Sequence, residues 1–178
     1  LQQPPAGASL GLWVVIIVAA YLVRLLPWLL SEFWYDEIIT LTDFAVGLPG
    51  RSPLQLFSTY PVANNHMLFS LLAWWWVRFL HFTSAEHLLR FPSVVCGLGV
   101  LGLVVYHWSR QLGRKVACAG ALLLAVSPVF AAFVYQFRGY GLTMLLAAVA
   151  WSGILEQRCG NWRRGTLLHA LAGALLVL

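Results

Sequence analysis

Apolar positions fall into six runs along the chain, 11–31, 66–82, 91–108, 116–137, 139–156 and 166–178, separated by short charged or polar breaks. Strict alternation of apolar and polar residues is absent, so the pattern predicts helices rather than strands. A hydrocarbon core of about 30 Å takes about 20 apolar residues per helix, the length that several of these runs reach. Run 66–82 differs from the others. On a helical wheel His66, Ser70, Trp74, Arg78 and His81 share an arc of roughly 120°, which is the mark of an amphipathic surface helix. That predicts an interfacial helix lying flat, with its aromatics in the headgroup layer. The expected fold is an all-α polytopic transmembrane bundle of about five spans, 11–31, 91–108, 116–137, 139–156 and 166–178. Between the first two lies loop 32–90, with short surface helices near 36–46 and 66–82 and a glycine- and proline-bearing turn at 47–53.

Charge assigns sides to this pattern. Arg110, Arg114 and Lys115 form one basic break and Arg158, Arg163 and Arg164 another, and the positive-inside rule puts both in the cytoplasm. Two spans lie between them, so the turn 135–140 falls outside, and so do 86–90 at the start of span 91–108. Loop 32–90 holds Glu32, Asp36, Glu37, Asp43 and Glu86 but few basic residues, in keeping with an extracytoplasmic position. The expected location is the inner (plasma) membrane, multi-pass.

Composition narrows the class further. With 61% hydrophobic and 10% charged residues and a mean hydropathy of +0.80, the chain cannot cover itself with polar surface as a soluble domain does. The net charge of +5 does not indicate a nucleic-acid partner, because the basic residues sit singly or in the two breaks. Cys96, Cys118 and Cys159 show neither CxxC nor Cys/His ligand spacing and are read as packing residues. Run 11–31 lacks a preceding basic segment and is too long for a signal peptide, so it reads as a retained span. Because the chain opens at Leu1 and stops inside an apolar run, it is expected to be the N-terminal part of a longer protein, one module over 1–178 with no soluble domain.

Several residues stand out as candidates for chemistry. Asp36 and Glu37 follow an apolar span and an aromatic pair, so they sit at the membrane face. Partial burial there would make one of them a general base; the competing reading is a solvated helix N-terminus, where acids are favoured by the dipole. On the helix that follows, Asp36, Thr40 and Asp43 share a face and Glu37 points elsewhere. Arg24 inside an apolar span either snorkels outward or faces the bundle to meet a phosphate or carboxylate. Arg90 and Arg138 fall at outer helix ends, where a guanidinium grips phosphate bidentately. Their plainer readings are an i,i+4 pair with Glu86 and interfacial anchoring. His66, after Asn64 and Asn65, either contacts a sugar or a metal or belongs to a helix capped by Asn65. Gly97 to Gly102 match G-x-G-x-x-G inside an apolar run without a preceding strand, which excludes a dinucleotide site and suggests close helix packing. His107 and His169 read as structural, and Trp74, Trp75 and Trp76 as an aromatic belt.

Taken in order, the Asp36-Glu37 pair outside the first span, Asn65-His66-Met67-Leu68 opening the interfacial helix, Arg90-Phe91-Pro92-Ser93 opening the next span and the turn Arg138-Gly139-Tyr140 resemble the glycosyltransferase-C superfamily. The chain is most similar there to bacterial relatives of dolichyl-phosphate-mannose protein mannosyltransferases and aminoarabinose transferases, over residues 20–156. The resemblance implies transfer of a sugar, with inversion, from a polyprenyl-phosphate donor to an acceptor hydroxyl on a lipid, glycan or protein. It implies Asp36, beside Glu37, as the catalytic carboxylate and Arg90 and Arg138 as phosphate contacts, with Arg24, Asn65, His66 and Tyr140 lining the substrate site. The usual His-Pro of the family is His66-Met67 here. No cofactor beyond the lipid-linked donor is implied, although a divalent metal is compatible with the resemblance. Two rival functions fit the same pattern: a transporter or channel subunit with Arg24 on its pathway, and a non-catalytic lipid-binding subunit.

Overall fold

The computed structural model describes residues 9–46, 67–81 and 85–177, and every regular element among them is helical. Helix α1 (Leu10–Leu29) is followed by α2 (Tyr35–Ile39), which widens into a π-helical turn at Thr40–Val46. Then come α3 (Met67–Phe79), the single turn α4 (Glu86–Leu89) and α5 (Phe91–Gly102). A π-helical stretch, Leu103–Trp108, carries α5 on as far as Leu112, giving one 22-residue rod. Helices α6 (Arg114–Val126), α7 (Pro128–Val134), α8 (Tyr140–Arg158) and α9 (Trp162–Val177) complete the chain.

Local chemistry sets the boundaries. Pro92 opens α5, where its missing N–H costs nothing. Gly113 takes a left-handed φ of 82° between α5 and α6, a conformation that suits glycine. Pro128 keeps Ser127 extended, with ψ 124°. The Ser127 Oγ then caps α7 by accepting from the Phe130 N–H at 3.3 Å. Across that junction α6 and α7 are bent by 69°.

Two helices, Leu10–Leu29 and Phe91–Leu112, are long and apolar enough to cross a membrane, or three if the bent pair α6 and α7 makes one span. This is a helical membrane protein with fewer spanning helices among its described residues than the five expected. The shortfall has a physical basis. Helix α8 carries Thr143 and Ser152 and ends in Glu156-Gln157-Arg158, which lowers its apolarity. The described length of α9 is 16 residues, short of the roughly 20 a span requires.

The main core joins α1, α5, α6 and α7 through Ile17, Tyr21, Val104, Ala121 and Phe130. In lipid such packing rests on close contact rather than on expulsion of water, so small residues matter. A Cβ on Gly97 would strike the Tyr21 hydroxyl, and one on Gly99 would lie 2.9 Å from Leu145. Gly153 and Gly165 let α8 and α9 meet backbone to backbone, since a Cβ on Gly153 would come within 2.6 Å of the Gly165 carbonyl oxygen. Gly97 and Gly99 thus serve helix packing, whereas Gly102 faces open space.

Part of the polar arc of α3 is turned inward, while His81 at its end is exposed and His66 lies outside the described residues. Ser70 is buried, and Arg78 donates to the Ala45 carbonyl at 2.8 Å from beneath the π-helical turn. Leu72, Trp75 and Phe79 face outward instead. The sequence pattern expects the arc to face water. The Ala45 carbonyl and the Trp74 carbonyl of the same helix supply partners for Arg78 instead, leaving apolar side chains for the surroundings.

Candidate functional site

One end of the bundle gathers the start of α2, the α4–α5 junction and the turn between α7 and α8. Helix α1 arrives there with carbonyls that a helix cannot satisfy from within itself. Arg90 supplies the donors. Its Nη1 donates to the carbonyls of Trp28 at 2.9 Å and Ser31 at 2.7 Å, and its Nη2 to that of Glu32 at 3.0 Å. A cation at a helix C-terminus also meets the negative end of the helix dipole.

The remaining Arg90 donors go to Glu37. Nε lies 2.9 Å from Oε1 and Nη2 2.8 Å from Oε2, a bidentate pair with both side chains wholly buried. Glu37 also accepts from the Trp34 N–H at 3.1 Å and, across 100 residues of sequence, from the Phe137 N–H at 2.6 Å. All five guanidinium N–H groups and both carboxylate oxygens are therefore committed. The rings of Phe33 and Tyr135 lie 4.8 and 5.2 Å from the guanidinium carbon and close the cage.

Asp36, the next residue along the chain, has the opposite surroundings. Its side chain is 58% exposed, and its Oδ2 accepts from Arg138 Nη1 at 2.6 Å. Arg138 is itself largely buried, with its guanidinium carbon 4.9 Å from the ring centre of Tyr140. Thr40 is buried and donates to the Asp36 carbonyl, so it does not share the open face of Asp36 and Asp43 as the regular α-helical wheel predicts.

Of the residues singled out from the sequence, the structure brings together Asp36, Glu37, Arg90, Arg138 and Tyr140. Arg24 lies one turn below Trp28, half-buried, and makes no hydrogen bond or ion pair among the described residues. Asn65, His66 and the turn 47–53 lie outside the described residues. The phosphate contact expected of Arg90 is not offered here, because each of its N–H groups already serves this chain. Its partner is Glu37 rather than Glu86. Among the described residues no three His, Cys, Asp or Glu side chains converge in the manner of metal ligands.

A second polar cluster occupies the opposite end. The π-helical stretch of α5 turns His107 and Trp108 towards α8, where His107 Nε2 lies 2.8 Å from Glu156 Oε1 and Trp108 Nε1 donates to Ser152 Oγ. Asn161 donates to the other Glu156 oxygen at 2.8 Å. Sequence reasoning passes over Glu156, although an acid at the end of an apolar run is the signal that could find it. His107 proves to be a helix–helix contact. Cys96 and Cys118 are buried and Cys159 is exposed, all as free thiols.

No family model, curated protein or solved structure matches this chain.

Proposed function

We propose that this chain belongs to a membrane glycosyltransferase that moves a sugar from a polyprenyl-phosphate donor to an acceptor hydroxyl on the extracytoplasmic side, with inversion. The observation that carries the reading is the divergence of two adjacent carboxylates. Glu37 is locked into the fold by Arg90, and that lock holds Asp36 open to solvent against a second arginine. A carboxylate and a guanidinium 2.6 Å apart, at the rim of an apolar bundle, match what transfer from a lipid phosphate needs. The order of motifs along the sequence supports the same reading.

In the proposed reaction the donor phosphate competes with Asp36 for Arg138 and draws the guanidinium towards itself. Asp36 then accepts the proton of the acceptor hydroxyl. The hydroxyl oxygen attacks the anomeric carbon from the face opposite the phosphate, and the sugar–phosphate C–O bond breaks with its electron pair staying on the phosphate. Charge grows on that leaving group, where a fixed cation contributes most. Tyr140, under the Arg138 guanidinium, is a positioning residue. Arg90 acts only through Glu37 and the carbonyls of α1.

Asp36→Asn tests the reading directly in membranes holding the full-length protein and a polyprenyl-phosphate sugar. Transfer is expected to fall by at least about a hundredfold, the scale of general-base catalysis, while the protein stays folded. Unchanged transfer by the folded variant would overturn the mechanism.

A further inference from the structure

The two ends of the bundle differ sharply in charge. Contacts fix which residues share the second end: Gln111 donates to the Leu155 carbonyl and to Cys159 Sγ, while Gly153 packs on Gly165. The end of α5, the start of α6, the end of α8 and the start of α9 are thereby neighbours. That end carries Arg110, Arg114, Lys115, Arg158, Arg163 and Arg164, all exposed, and none forms a salt bridge among the described residues. Six of the eleven Lys and Arg residues of the chain are gathered here, against one of its six acids. That acid, Glu156, bonds His107 and Asn161 and lies within Coulombic reach of Arg164, so it offsets at most one of the six charges.

Apolar side chains are set among these cations. Trp162 is 66% exposed, and Val116 and Leu112 are exposed beside Lys115 and Arg110. A shallow cleft of about 460 Å³, lined by Gly160, Asn161, Trp162, Arg163 and Arg164, opens on the same surface. Cations interleaved with exposed aromatic and branched apolar residues suit the boundary between headgroups and acyl chains, where a tryptophan ring sits at headgroup depth. A soluble acidic partner would match the charge but would leave this apolar rim in water. We infer that this end is a docking surface for anionic lipid headgroups, with a headgroup phosphate seated against Arg163 and Arg164 and the acyl chains beside Trp162. The inference rests on the bundle and its charges, and holds whatever reaction occurs at the other end.

The test uses the full-length protein in a neutral detergent, titrated with phosphatidylglycerol or with phosphatidylcholine of identical chains, and reads lipid retention by native mass spectrometry, alongside the fluorescence difference between wild type and Trp162→Phe. Each surface cation contributes about fivefold to binding an anionic membrane. Wild type is expected to prefer phosphatidylglycerol more than tenfold, and the preference should shrink as salt rises through the range where the Debye length falls to about 3 Å. R158Q/R163Q/R164Q is expected to lose most of the preference, whereas Glu86→Gln, away from the patch, keeps it. Should the triple variant misfold, the three single variants carry the test, each losing about fivefold. Equal binding of the two lipids, an undiminished preference in the folded variants, or full displacement of phosphatidylglycerol by inorganic phosphate would overturn the inference, the last by showing a simple anion site.

Discussion

Replacing Glu37 with Gln is expected to be among the most damaging single substitutions in this chain. Glutamine keeps one acceptor, which can still serve Arg90 Nε and the Phe137 N–H. Its NH2, however, takes the place of Oε2, where the Trp34 N–H and Arg90 Nη2 both donate. Flipping the amide sets donors against Arg90 Nε and Phe137 instead. Either way two donors meet a donor, and the Arg90 charge stays buried without its counter-charge. Removing one member of a buried pair costs about 3–5 kcal/mol, and each stranded buried donor about 1–3 kcal/mol, terms that overlap here. We expect a net loss of about 3–5 kcal/mol. Reversible unfolding by SDS in mixed micelles, followed by tryptophan fluorescence, measures it. A cycle with Arg90→Met and the double variant should return a coupling above about 1 kcal/mol. Glu86→Gln serves as the control and should stay within about 0.5 kcal/mol of wild type. A loss below about 1 kcal/mol for Glu37→Gln, with no coupling to Arg90, would refute the view that this pair holds the site together.

Three further outcomes can be checked. Gly97→Ala places a methyl on the Tyr21 hydroxyl and disrupts its 2.9 Å bond to the Val94 carbonyl; a destabilisation of about 1–3 kcal/mol is expected, with partial rescue by adding Tyr21→Phe, and no rescue would mean the clash lies elsewhere. Gly153→Leu should separate α8 from α9, and protease digestion should then cut near 159–162 faster than in wild type; an unchanged rate would speak against the backbone contact. With Cys159 replaced by Ser, a Val46→Cys thiol should react with an impermeant maleimide from the extracytoplasmic side only, while native Cys159 reacts from the other. Labelling of both from one side would contradict the proposed sidedness.

Much of this architecture is legible in the apolar runs, because helix length and periodicity are local properties. The clustering of Asp36, Glu37, Arg90 and Arg138 at one end follows from the alternation of apolar runs and basic breaks, although fewer helices are apolar and long enough to cross than that pattern suggests. The pairing within that cluster is not legible. Spacing along the chain favours Glu86 with Arg90, a helical i,i+4 neighbour, but α4 is a single turn and Arg90 stands at its junction with α5, facing the carbonyl end of α1. Nothing local tells which of two adjacent acids will be swallowed by a distant arginine. The inward turn of Ser70 and Arg78 is hidden for a related reason: a helical wheel finds the polar arc of α3 but not what each of its residues will meet. Glu156 hides because it closes run 139–156 and reads as a boundary, while its partner His107 lies 49 residues earlier.

The Arg90 cage also constrains how the protein can be made. Its parts arrive from the ribosome in a fixed order: the α1 carbonyls first, Glu37 soon after, Arg90 53 residues later and the Phe137 amide last, 100 residues behind the carboxylate it completes. Until the α7–α8 turn has emerged, Glu37 lacks one of its donors and the entrance to the cage stands open. The cage is thus completed by the segment of it that is made last, and its full set of hydrogen bonds exists only once residue 137 has docked.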